Sequence, residues 1–210
     1  MARVKSDKKK EDAGQLTVCA FGGLSFYFKG APVSIGWESQ KARLLFCYLL
    51  VTYDQWVHRD KIIELLWPGG ESGAAINNFK TTLSRLRKSF AGSQVVNPVL
   101  TQGEAVRVNT SAIAFDASLF HHKAATGIKL LARGDSKSAK AYLEAAQDLY
   151  RGEFLPEEPF NQFISVARAE LAELNAAVIS SLKKLYQQEG NSDAMEAISM
   201  LRRGFITELS

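Results

Sequence analysis

Between Ala74 and Phe90 the chain carries four positive charges, Lys80, Arg85, Arg87 and Lys88, and no carboxylate. Ile76, Phe79, Leu83, Leu86 and Phe90 recur there at spacings of three, four, three and four, which is the pattern of one buried helical face. What remains points outward: Asn77, Asn78, Lys80, Thr81, Thr82, Ser84, Arg85, Arg87 and Lys88. Asn78, Thr81 and Arg85 stand at i, i+3 and i+7 and project along one side. These residue types suit base edges in a major groove. Arg can be bidentate to guanine, Asn bidentate to adenine, and Thr can meet a thymine methyl. Asn77, Lys80, Thr82, Ser84, Arg87 and Lys88 flank that line, where phosphates would lie, and would orient the helix without reading sequence. An ordinary amphipathic helix also has a polar face, but such faces usually mix in Asp or Glu.

The elements around this helix are those that would position it. Leu16 to Phe21, Leu24 to Phe28 and Val33 to Ile35 are short β-prone runs separated by Gly22-Gly23 and Lys29-Gly30-Ala31-Pro32, which predicts a small antiparallel sheet. A first helix starts near Glu38, with Ala42, Leu45, Phe46, Leu49 and Leu50 on one face. A second runs from about Arg59 to Trp67 and stops at Pro68-Gly69-Gly70; the third follows Ser72. Val95-Val96, Val99-Leu100 and Val106-Arg107-Val108 flank Gln102-Gly103-Glu104, which reads as a hairpin with a Gly turn. Strands, three helices and a hairpin are the order of a winged helix-turn-helix.

Charge divides along the same line. Residues 1–110 hold 15 Lys and Arg against 9 Asp and Glu, net +6, and residues 111–210 hold 11 against 13, net −2, which together give +4. A basic half points to a polyanionic partner. Lys8, Lys9 and Lys10 belong to a polar stretch, residues 1–15, that reads as a disordered basic tail.

Residues 111–210 change character to Ala, Leu, Glu and Lys. Asp116 to Ala132 and Lys137 to Tyr150 read as a helix pair broken at Arg133-Gly134-Asp135; a long helix runs from about Phe160 to Gln188 and a last one from Asp193 to about Arg203. Helix pairs of this kind fit a tetratricopeptide-like stack. The expected organisation is thus a tail (1–15), a winged-helix domain (16–110) and an all-α domain (111–210).

Several short strings also carry a resemblance. They are Leu16-Thr17-Val18 leading to Phe21-Gly22-Gly23-Leu24, Lys41-Ala42-Arg43-Leu44-Leu45, Val57-His58-Arg59 leading to Leu65-Leu66-Trp67-Pro68, and Ser84-Arg85-Leu86-Arg87-Lys88-Ser89-Phe90. In the second half they are Phe115-Asp116 to Phe120, Ala141-Tyr142-Leu143 to Leu149-Tyr150-Arg151-Gly152-Glu153-Phe154-Leu155, and Arg168 to Leu174. In this order they resemble the Streptomyces antibiotic regulatory protein family, with an OmpR/PhoB-type winged helix followed by a bacterial transcriptional activation domain. With charges but no apolar segment at the N-terminus and no CxxC pair, the chain reads as cytoplasmic, and as a DNA binder it is expected at the nucleoid. The resemblance implies a transcription factor, an activator. It would bind direct repeats of double-stranded DNA as a side-by-side pair and contact RNA polymerase. It places Asn78, Thr81 and Arg85 on bases and Asn77, Thr82, Arg87 and Lys88 on the backbone, with Gln102 and Arg107 in the wing. The wing tip departs from the family pattern, because Glu104 would repel a minor groove.

Other chemistries find no support in the residues. Cys19 and Cys47 have no CxxC partner, and His121-His122 has no carboxylate or Cys at helical spacing, so no metal site is expected. Neither GxxxxGK[ST] nor GxGxxG nor GxSxG occurs, and Glu157-Glu158 lacks a companion acid–base group, so no enzyme and no cofactor are expected. Leu44 to Val51, the longest apolar run, is far short of the roughly 18 residues that span a bilayer. The competing expectation is a protein-interaction scaffold that works through the helical half and keeps the winged helix only as a fold.

Overall fold

Gln40–Val51 (α1) forms where a Ser39 side chain accepts the Ala42 N–H and where seven of twelve residues, Ala42 and Leu45 to Leu50, are buried. The computed structural model describes residues 14–70, 72–95 and 97–207; residues 1–13 of the expected tail and Val96 of the expected hairpin lie outside them. The chain forms two compact units. One contains the described residues up to Val18 together with Phe26–Ala114; the other contains Cys19–Ser25 together with Phe115 onward.

Leu16–Cys19 (β1), Ser25–Phe28 (β2), Ala31–Pro32 (β3) and Ile113–Phe115 (β7) make a four-stranded sheet in the order β3-β2-β1-β7, which belongs to the first unit except for its end residues Cys19, Ser25 and Phe115. Three helices follow the first strands: α1, Arg59–Leu66 (α2) and Ser72–Ser89 (α3). Val57–His58 (β4), Val99–Gln102 (β5) and Ala105–Val108 (β6) make a second sheet in the order β4-β6-β5. The β5–β6 hairpin turns at Gly103, whose φ of 57° is the left-handed conformation glycine adopts without strain.

An aromatic cluster holds these parts together. Phe46 and Phe90 have ring centroids 5.0 Å apart, and Phe26 and Trp37 each meet Phe90 edge-on at 84°. Such pairs contribute about 0.5–1.5 kcal/mol each beyond their area burial. Phe90 follows the last residue of α3, so the cluster fixes that end of the helix to α1 and to β2. Trp37, Trp56 and Trp67 differ in their surroundings. Trp37 is half-buried in the cluster, Trp67 is half-buried with the Lys41 ammonium 5.0 Å from its ring centroid, and Trp56 is 39% exposed.

The second unit is helical: Asp116–Ala132 (α4), Ser136–Gln147 (α5), Gln162–Glu189 (α6) and Ser192–Thr207 (α7). α4 and α5 touch closely at Gly127, where an added Cβ would sit 2.7 Å from Leu143 Cγ. Asn161 caps the start of α6, and Gly190, at φ 69°, ends it. Arg168 on α6 donates to the carbonyls of Phe154, Leu155 and Glu158 and pairs with Glu153 at 3.0 Å, which fixes the loop between α5 and α6.

Residues 19–25 complete this unit. The buried Asp116 carboxylate accepts the N–H groups of Ala20 and Phe21 at 2.9 and 3.1 Å and that of Ala117 at 2.7 Å. Burial pushes its pKa up, and those three donors oppose the shift. The Phe21 ring packs against Phe120, Tyr150 and Phe154 at centroid distances of 5.4, 4.6 and 6.0 Å. Gly22 and Gly152 let the two backbones approach: a Cβ on Gly152 would lie 3.0 Å from Gly22 Cα.

Candidate nucleic-acid interface

α3 buries Ala75, Phe79, Leu83, Leu86 and, just past its end, Phe90. Asn77, Asn78, Lys80, Thr81, Ser84, Arg85, Arg87 and Lys88 are all exposed. The proposed base-reading row of Asn78, Thr81 and Arg85 therefore lies on the solvent side, with no carboxylate from α3 beside it. Lys80, Thr81, Ser84, Arg85 and Lys88 line a shallow depression of ≈ 600 Å³, and Glu38, from the residues before α1, closes its edge.

Three residues differ from the sequence expectation. Thr82 is 5% exposed and does not join the backbone-facing flank. It stands three residues after Phe79 and four before Leu86, so its Cβ falls on the buried stripe. Arg87 is exposed, but its guanidinium donates to Thr101 Oγ1 and to the Val99 carbonyl, and it braces β5 against α3. Arg107 is not free in the wing. Its guanidinium lies 4.7 Å over the Trp56 ring, with Nε buried and without a hydrogen-bond partner.

The wing tip is exposed at Gln102, Gly103 and Glu104. Its carboxylate does not stand alone. Arg59 Nη2 is 2.6 Å from Glu104 Oε1, and His58 Nε2 is 3.3 Å from Glu104 Oε2. The β4–β6 pairing brings His58 opposite Ala105, next to the tip, and this pairing was not read from the sequence. Arg59 and Glu38 are charged residues of the candidate interface that the sequence reading does not include. Each reaches it from another element, so no spacing along α3 could reveal them.

In the second unit Glu144 accepts the Tyr186 hydroxyl at 2.9 Å, and the Lys140 ammonium lies 5.0 Å from the Tyr186 ring centroid while pairing with Glu189. Burial, then the Glu144 hydrogen bond and nearby carboxylates, pushes the Tyr186 hydroxyl up to about 12. His121 and His122 are exposed on α4.

A winged helix followed by a stack of α-hairpins is the fold class that the sequence strings implied. Residues 115–208 match the model of the bacterial transcriptional activator domain. Among solved structures, Mycobacterium tuberculosis EmbR in complex with a low-affinity phosphopeptide is similar over 91% of this chain, with a TM-score of 0.70 and 20% sequence identity. The chain spans about half of that structure's length, 51%. The likeness shows that the two share a fold. No curated protein matches the sequence. No helix of the described residues is long and apolar enough to cross a membrane.

Proposed function

We propose that the chain is a sequence-specific DNA-binding regulator of transcription that reads the major groove with the exposed face of α3. The observation that carries this reading is the acid-free row of Asn78, Thr81 and Arg85, exposed on a helix that the aromatic cluster fixes in place. Asn78 and Arg85 have the bidentate geometry that distinguishes adenine and guanine, and Thr81 suits a thymine methyl. Asn77, Lys80, Ser84 and Lys88 hold the backbone, and Gln102 reaches from the wing. The protein binds direct repeats as a side-by-side pair, activates transcription in the cytoplasm at the nucleoid, and contacts RNA polymerase through the helical unit.

The test is selection of bound duplexes from a random pool at physiological salt. Enriched direct repeats about 10–11 bp apart support the reading. Four to six phosphate contacts give a log–log salt slope of roughly −4 to −5. A flat pool favours the scaffold instead, for which the groove lined by Glu144, Asp148, Leu182, Tyr186 and Ile198 is the place to seek a partner.

A further inference from the structure

Glu38 is the one acidic residue among the six that line the α3 depression, and its Oε2 lies 3.4 Å from Lys88 Nζ. Its position is fixed by the helix it faces. The Glu38 N–H donates to Ser89 Oγ at 3.0 Å, and Ser89 Oγ donates to the Arg85 carbonyl at 2.9 Å. On its other side, Ser39 caps α1. The backbone of Glu38 is thus tied to the last turn of α3 and to the first turn of α1 together.

Stability does not explain a carboxylate there. The Lys88 side chain is 71% exposed and that of Glu38 37%, and an ion pair so open to water adds little to folding. Its electrostatic effect on an approaching polyanion is larger in consequence. Lys88 must leave Glu38, or share itself, to meet a phosphate, and the carboxylate then remains beside that phosphate.

We propose that Glu38 is a built-in counter-ion that limits the grip of α3 on the DNA backbone. The inference rests on the DNA-binding reading above. Glu38 lowers affinity for every sequence alike, because it acts on Lys88 and on phosphates and not on base edges. Base contacts at Asn78, Thr81 and Arg85 then have to supply what the backbone contacts lack.

The test uses the full chain with Glu38→Gln, which keeps the side-chain shape and the backbone N–H that Ser89 accepts. Fluorescence anisotropy is measured over a salt series on a selected duplex and on a scrambled one. Removing one negative charge several ångströms from a phosphate should tighten both by about 3–10-fold. The log–log slope should steepen by about 0.9, the share of one phosphate contact. Glu38→Asp, which keeps the charge, should keep the wild-type slope. Unchanged or weaker binding by Glu38→Gln overturns the proposal. So does a change confined to one base position, which would make Glu38 a base reader. If the wild-type chain itself prefers no duplex, it is the DNA-binding reading that fails.

Discussion

Arg59 Nη2 lies 2.6 Å from Glu104 Oε1, and the Arg59 N–H donates to the Glu104 carbonyl at 2.9 Å. The start of α2 and the tip of the wing are thus joined twice, once through side chains and once through backbone. The carboxylate that would repel a minor groove is met by a guanidinium of its own chain.

This pairing predicts a rescue. Arg59→Ala takes the guanidinium from Glu104 and leaves the His58 ring beside it, and should weaken DNA binding about tenfold, more than loss of one exposed cation alone. Adding Glu104→Gln should restore most of that loss. Affinities of the two single variants and the double variant check it, and additive losses would sink it.

Arg85 and Lys88 stand three residues apart on one face but are assigned different partners. Arg85→Ala should cost about 1–3 kcal/mol and relax one base position. Lys88→Ala should weaken all sequences about equally and reduce the salt slope by about one. Selection profiles of the two variants separate the roles, and identical profiles would undo the assignment.

Gly127 tests the packing of the second unit. Alanine favours a helix over glycine by about 1 kcal/mol. Here its Cβ would press on Leu143 Cγ, Cδ2 and N at 2.7, 2.8 and 3.2 Å, and Leu143 is fully buried. Overpacking of this kind costs about 1–3 kcal/mol, so Gly127→Ala should be net destabilising in a denaturant melt. A variant more stable than wild type would show that α4 and α5 can separate without loss.

Tyr186 gives a pH signature. An unfolded tyrosine titrates near 10.0, and this one is pushed up to about 12. The folded state therefore holds the proton more tightly, and the stability this adds is complete below pH 10 and is lost as pH rises toward 12. Tyr186→Phe should remove that fall, so the difference in stability between wild type and variant should shrink over this window. A difference that stays constant would mean that neither burial nor the Glu144 hydrogen bond raises the hydroxyl.

Local signals made much of this structure legible. α4 runs Asp116–Ala132 as read, because an acidic first turn and the Arg133-Gly134-Asp135 stop both lie within the chain segment itself. The α3 stripe was equally plain. Thr82 is the exception: its spacing from Phe79 and Leu86 puts it on the buried stripe, while its polar type groups it with the outward residues. Arg107 was read from its place in the hairpin, but the Trp56 ring that holds it comes from the turn before β4. Glu38 and Arg59 became visible only once α3 and the wing met their neighbours. The role of Phe21-Gly22 was likewise hidden, since its partners Asp116 and Gly152 are about a hundred residues or more away.

That last arrangement governs how the protein can be divided. Seven residues near the beginning complete the helical unit before the chain returns to the winged helix, so no single cut yields two whole parts. A fragment beginning at residue 111 would lack the Phe21 ring and leave the Asp116 carboxylate without two of its donors. Supplying residues 19–25 as a separate peptide should restore what the cut removes, in the manner of a missing keystone.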